Sequence, residues 1–272
     1  MPLTEFICPD GERRPINTCE QCPRPEGRCL SLPTLRDAAQ ERPWSGTPST
    51  TQLLNPTRME YLKITKPYAI SPESRAFAML GTKHHKRLEI MAIEINGLIM
   101  EKKLSGEVTG ILDLLEPDEL NPGFYKLIDY KTWGAFALAK HLGFNGNGEY
   151  ERRNLALQLN NYRIMAESAG FPISRLLVQC TVRDGGTASA HKQGIHDRFY
   201  WIPVEKLDND DVIEYFMVKA DALITAVNTD TMPELCPYDE RWNGRRCKGF
   251  CDVAEWCPEG AKVNNLSHKR VC

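Results

Sequence analysis

The sequence predicts a mixed α/β domain with a cysteine-rich, metal-bound segment at each end. Three observations predict it. Periodic segments in the middle of the chain run helix, strand, strand, helix, strand, strand, helix. Nine of the ten cysteines fall in the two ends, and only Cys180 lies between them. Two acids and a lysine, Asp113, Asp129 and Lys131, sit on two neighbouring predicted strands.

Residues 1–45 are rich in Cys, Pro and Arg and show no helical or strand period. Residues 46–230 carry the regular patterns and read as the main domain. Residues 231–272 are again cysteine-rich and irregular. Within the middle zone, Pro48-Ser49-Thr50-Thr51 marks a helix start, with a hydroxyl cap before Gln52-Leu53-Leu54. Residues 72–93 predict a second helix, with Phe77, Leu80, Leu88 and Met91 as its apolar positions. Residues 107–115 and 124–131 read as two strands of a hairpin around the turn-rich stretch Glu116 to Gly123. A helix is expected at about 150–168, then strands at 175–183 and 198–204 around Asp184-Gly185-Gly186. A helix over 208–228, capped by Asp208 or Asn209, closes the zone.

The composition is that of an ordinary globular protein, 42% hydrophobic and 26% charged, with a formal net charge of -2. That balance gives no global pull toward nucleic acid, so DNA binding requires a local basic groove or tail. No apolar run is long enough to cross a bilayer, and Met1 to Glu5 do not begin a secretory signal. The expected compartment is the cytosol, where thiols stay reduced and clustered cysteines bind metal more often than they pair.

Asp129 and Lys131 are two apart on one strand and point to the same side. A hairpin brings Asp113 beside them. Converging carboxylates make a hard-oxygen site for magnesium or manganese, with the Tyr130 carbonyl as a further ligand. Such a metal lowers the pKa of a bound water, and a neighbouring ammonium orients that water or offsets charge on a phosphate. The bland reading of Asp113 is a solvated strand carboxylate. Inside Ile111-Leu112-Asp113-Leu114-Leu115, however, it needs a partner or a metal. Glu89 and Glu107 read as structural or solvent-facing, with Glu107 in reserve because it shares the Asp113 face.

Four blocks, in order, resemble the RecB-like branch of the PD-(D/E)XK nucleases. Gly81-Thr82-Lys83-His84-His85 resembles the histidine motif in a register that selects His85 over His84. Gly110 to Asp113 resembles Gly-x-x-Asp, Asp129-Tyr130-Lys131 resembles Asp-x-Lys, and Gln158 to Tyr162 resembles Gln-x-x-x-Tyr. The resemblance spans roughly residues 48–230 and implies a restriction-endonuclease-like core, a mixed central sheet flanked by helices. It implies that His85, Asp113, Asp129 and the Tyr130 carbonyl hold the catalytic metal and that Lys131 is catalytic. Gln158 and Tyr162, four apart on one helix face, would line the site.

Cys236, Cys247, Cys251 and Cys257 are separated by ten, three and five residues, which suits tetrahedral zinc or an iron–sulfur cluster. The resemblance, to AddB-type and CRISPR-adaptation nucleases in particular, implies a [4Fe-4S] cluster. The upstream cysteine of that pattern is absent here. Asn55-Pro56-Thr57-Arg58 stands in its place, and Cys236 is expected to supply the fourth ligand. Cys8, Cys19, Cys22 and Cys29, separated by ten, two and six residues, predict a zinc site that stabilises a segment too poor in apolar residues to fold alone. Arg13, Arg14, Arg24 and Arg28 lie among them and are candidate phosphate contacts. Cys180 reads as a buried thiol and Cys272 as a free one. The glycine-rich stretch 143–148 reads as a flap over substrate, and Trp133 as packing rather than base-stacking.

The sequence therefore predicts a Mg- or Mn-dependent nuclease acting on DNA ends or single strands, in recombination, repair, phage replication or CRISPR adaptation. No Gly-x-x-x-x-Gly-Lys loop is present, so any motor comes from a partner such as a helicase, and an integrase is a second candidate partner. The rival expectation is a non-catalytic DNA- or protein-binding subunit that keeps the same fold.

Overall fold

The computed structural model describes residues 3–146 and 148–268, and the side chains of all of these except 265–268. Asn147 of the glycine-rich stretch and Cys272 lie outside the described residues. In chain order the strands are β1 (Leu3–Ile7), β2 (Arg13–Pro15), β3 (Tyr68–Ile70), β4 (Ile99–Leu104), β5 (Gly110–Pro117), β6 (Tyr125–Trp133), β7 (Ile173–Val182) and β8 (Phe199–Val204). The helices are α1 (Leu32–Ala38), α2 (Thr50–Leu53), α3 (Thr57–Thr65), α4 (Ala76–Ala92), α5 (Ala135–His141), α6 (Glu149–Ser168), α7 (Ala188–Lys192), α8 (Asn209–Thr229), α9 (Arg245–Gly249) and α10 (Pro258–His268). Two compact units result, one from Ser49–Leu54 with Leu80–Val218, the other from Met1–Pro48, Asn55–Met79 and Lys219–Cys272.

The first unit is built on a mixed five-stranded sheet in the order β4-β5-β6-β7-β8, with only β6 and β7 parallel. A parallel pair needs a crossover, and α5 with α6 supplies it. Leu155, Leu159, Tyr162 and Ala166 recur along one face of α6. They bury against Leu112, Leu115, Leu127, Leu176, Val178 and Cys180 of the sheet. On the other face Leu114, Ile128 and Tyr130 form a smaller cluster with Leu88 of α4. The hydroxyl cap holds as expected, since Ser49 accepts from the Gln52 N–H. Asp208 likewise accepts from the Asp210 N–H at the head of α8.

The second unit carries a three-stranded sheet, order β2-β1-β3, in which β1 runs antiparallel to β2 and parallel to β3. Phe6, Leu35, Leu62 and Ile70 are buried there. The C-terminal segment is tied into this unit through polar contacts. The Arg58 guanidinium donates to the carbonyls of Pro233 and Glu234 at 2.8 and 3.0 Å. Lys63 pairs with Asp252 at 2.8 Å, and the Trp256 indole donates to the Pro67 carbonyl at 2.7 Å. The N-terminal segment, expected to lack regular structure, contributes β1, β2 and α1. Its strands are three to five residues long, too short for alternation to register. No helix among the described residues is long and apolar enough to cross a membrane.

Candidate active site

The strand pair carrying the predicted acids is regular only at one end. β5 and β6 pair from Pro117↔Tyr125 to Leu114↔Ile128 and no further, while β6 continues along β7 to Trp133. Beyond that point the Tyr130 N–H turns to a side chain, donating to Asp113 Oδ2 at 2.7 Å. The Tyr130 carbonyl lies 3.2 Å from His85 Nε2. His85 Nδ1 lies 3.5 Å from Asp113 Oδ1.

Asp129 and Lys131 share a side of β6 and meet directly, Lys131 Nζ standing 2.8 Å from Asp129 Oδ2. Gln158 of α6 bridges them, donating to Asp129 Oδ1 at 3.2 Å and accepting from Lys131 Nζ at 3.4 Å. Thus His85, Asp113, Asp129, Lys131, Tyr130 and Gln158 converge. Tyr162 takes a different place. Its buried ring lies against Gly110, where a Cβ would stand 2.7 Å from Tyr162 Cε1. Gly110 is therefore needed for close approach of the ring to the strand.

Electrostatics follow from burial. Asp113 is pushed up to about 7, first by burial and then by the charge of Asp129, against the pull of His85, the Tyr130 N–H and Lys131. Burial alone would lower Lys131, but Asp129 outweighs it, and the ammonium is held above its ordinary value. His84, the histidine that the motif passes over, is lowered by burial and by His85, and its Nε2 meets no hydrogen-bond partner among the described residues.

One acid escaped sequence reasoning. Glu101 of β4 stands with His85 and Asp113, and one ligand atom from each of the three lies within 4.8 Å of the others. Glu89 and the reserve candidate Glu107 are both exposed instead. Glu107 falls before β5 begins, because the strand starts at Gly110 and not at 107. The only signal for Glu101 was a carboxylate in Ile99-Met100-Glu101-Lys102-Lys103-Leu104, a segment with no clean alternation. Two carboxylates and one imidazole at this spacing could hold a metal ion.

The cysteines form two separate groups within the second unit. Cys236, Cys247, Cys251 and Cys257 line one small pocket, with Arg58, Arg241 and Arg246 also in its wall. Arg58 Nη1 is 3.7 Å from Cys257 Sγ. Burial, then the neighbouring thiols, raises Cys236 and Cys247, and Cys251 is pushed up to about 11. At the other end, burial and then the nearby sulfurs of Cys8, Cys22 and Cys29 raise Cys19. A metal bound by the thiols that burial raises would have to deprotonate them on binding. The N-terminal arginines offered as phosphate contacts are mostly spent on acids. Arg13 pairs with Glu255, Arg14 with Asp10 and Glu12, and Arg24 with Asp10 and Glu26. Trp133 packs against His141 at 5.2 Å between ring centres.

No family model matches the chain, and no curated protein matches it. Among solved structures, the crystal structure of SSO0001 is similar to it at 14% identity, over 83% of this chain and 92% of that one, with a TM-score of 0.46.

Proposed function

We propose that the chain is a divalent-metal-dependent nuclease that hydrolyses phosphodiester bonds in DNA, at ends or in single strands. The observation that carries this reading is the fork of β5 and β6. There the Tyr130 N–H donates to Asp113 in place of the strand ladder, His85 stands against Asp113, and the Asp129–Lys131 pair flanks Tyr130 on β6. In this reading the cation is held by His85, Asp113, Asp129 and the Tyr130 carbonyl. When bound, it polarises a phosphoryl oxygen and activates a water.

Lys131 holds its proton and offsets charge that develops on the phosphate. Gln158 fixes both Asp129 and Lys131, so neither is free to swing away. Tyr130 presents its carbonyl at the site because its N–H is anchored on Asp113. The four C-terminal cysteines hold a [4Fe-4S] cluster in this proposal, with Cys236 as fourth ligand, and the four N-terminal ones hold zinc. Both would be structural, since hydrolysis transfers no electrons. A helicase or integrase partner belongs to the same proposal.

Incubation of the pure protein with labelled single- and double-stranded DNA and manganese, beside Lys131→Ala, tests it. Cutting by the parent chain and a loss of about 100-fold or more in the variant are expected. Equal cutting by both would remove the site assignment. No cutting by either would favour a binding subunit that keeps the fold.

A further inference from the structure

Glu101 occupies a position that the fold alone does not explain. β4 pairs regularly with β5 on either side of it, Met100 with Leu114 and Lys102 with Leu112, so Glu101 stands opposite Asp113. Yet its φ is +47°, a left-handed backbone in the middle of a strand. A side-chain-bearing residue rarely adopts that conformation, and an acid with an unbranched stem has no local reason to. Glycine would hold it at lower strain. Such outliers persist where the surroundings over-determine them, and they gather at functional sites.

The side chain is as unusual as the backbone. Its Oε1 is buried and meets no hydrogen-bond donor among the described residues. It lies 3.5 Å from His85 Nδ1, which stands at the same distance from Asp113 Oδ1. Two carboxylates thus face one imidazole, with the Lys131 ammonium engaged by Asp129. Asp129 accepts from Gln158 at Oδ1 and is ion-paired with Lys131 at Oδ2, although that oxygen, like Glu101 Oε1, has no hydrogen-bond partner among the described residues.

We propose that Glu101 is a side-chain ligand of the divalent cation, completing a set with His85 and Asp113, and that its left-handed backbone is kept for this purpose. The assignment rests on the nuclease reading but goes beyond the four motifs, none of which contains Glu101. Glu101 and Asp113 would then reach the cation from β4 and β5, in addition to the ligands named above.

The test is Mn2+ uptake by the full-length protein as isolated, with its thiolate metals retained, read as loss of the free-ion signal in electron paramagnetic resonance. Glu101→Gln keeps the size and removes the charge, and it is expected to weaken Mn2+ binding by about tenfold or more. Glu101→Gly removes the ligand and the strain together. Equally weak binding with a melting temperature at or above the parent's, measured without Mn2+, is expected. If Glu101→Gln binds Mn2+ like the parent while Asp113→Asn does not, Glu101 is no ligand and the nuclease site survives. If Asp113→Asn also binds like the parent, or the parent takes up no Mn2+, the divalent-metal reading falls and this assignment falls with it. A Glu101→Gly protein that melts lower and keeps its Mn2+ affinity would place the residue in service of the fold.

Discussion

The Tyr130 peptide joins two parts of the site at once, donating to Asp113 Oδ2 at 2.7 Å while its carbonyl lies 3.2 Å from His85 Nε2. A strand residue normally gives both groups to its neighbours in the sheet. Here the ladder between β5 and β6 has already ended at Leu114↔Ile128, and the freed N–H orients an acid instead. The cost is a buried carboxylate close to a second one.

That cost should be measurable. The folded value of Asp113, about 7, lies above its ordinary 3.8. The native state therefore holds a proton that the unfolded chain releases. The resulting stabilisation is complete below the unfolded value and is lost as pH rises through the folded one. Asp113→Asn stays neutral throughout. Without added divalent cation, thermal melts should show the variant gaining on the parent between about pH 5 and about pH 8, by on the order of 2 kcal/mol. Added Mn2+ should reverse the ranking. A gap that does not change with pH would remove this account of the site.

Gly110 and Tyr162 provide a steric test. A Cβ at Gly110 would meet Tyr162 Cε1 at 2.7 Å and Thr50 Oγ1 at 3.3 Å, and the tyrosine ring is buried. Gly110→Ala should cost about 1–3 kcal/mol in denaturant unfolding. Tyr162→Leu in the same chain should recover part of that loss, giving a coupling energy between the two positions. Additive losses would mean that the ring does not limit what Gly110 can become.

These residues differ in how they could be read. Asp113, Asp129, Lys131, His85 and Gln158 could be singled out because each lies in a short motif, and the fold brings them near one another. Gly110 and Tyr162 were legible as motif members, but their mutual contact is a tertiary fact. Glu101 was hidden, because β4 reads Ile-Met-Glu-Lys-Lys-Leu and its burial pattern does not alternate. Its direction depends on a left-handed φ that no local pattern announces. The small sheet was hidden for a different reason. β3 joins β1 across more than sixty residues of sequence, and a three-residue strand carries no period.

Asp118 is an acid of the opposite kind. Just beyond β5, it accepts from Arg175 at 2.6 and 3.1 Å, from Ser174 at 2.6 Å, from Asn121 at 2.8 Å and from the Leu120 N–H at 3.1 Å. Arg175 first, then Ser174, holds its carboxyl well below the usual carboxylate range. A depressed value contributes stability above the unfolded pKa and loses it as pH falls through the folded one. Asp118→Asn should therefore melt well below the parent at neutral pH, and the gap should close in acid, below the ordinary 3.8. A gap that persists unchanged into strong acid would show that shape, and not charge, holds the β5–β6 turn to β7.

The cysteines give the last prediction, because their grouping is a matter of space and not of count. Cys236, Cys247, Cys251 and Cys257 line one pocket, whereas Cys19 lies near Cys8, Cys22 and Cys29, whose sulfurs add to the effect of burial on it. Cys180 belongs to neither group. It is fully buried in β7 against the main core, and burial pushes its thiol up to about 11. Elemental analysis of single-site variants should follow that division. Cys251→Ser should deplete one centre, Cys19→Ser the other, and Cys180→Ala neither. Loss of the C-terminal centre should also loosen the segment after α8, which limited proteolysis would detect as earlier cleavage beyond Thr229. If one substitution at either end emptied both centres together, the ligands would be shared between the ends, and the two-centre description would have to give way to a single mixed one.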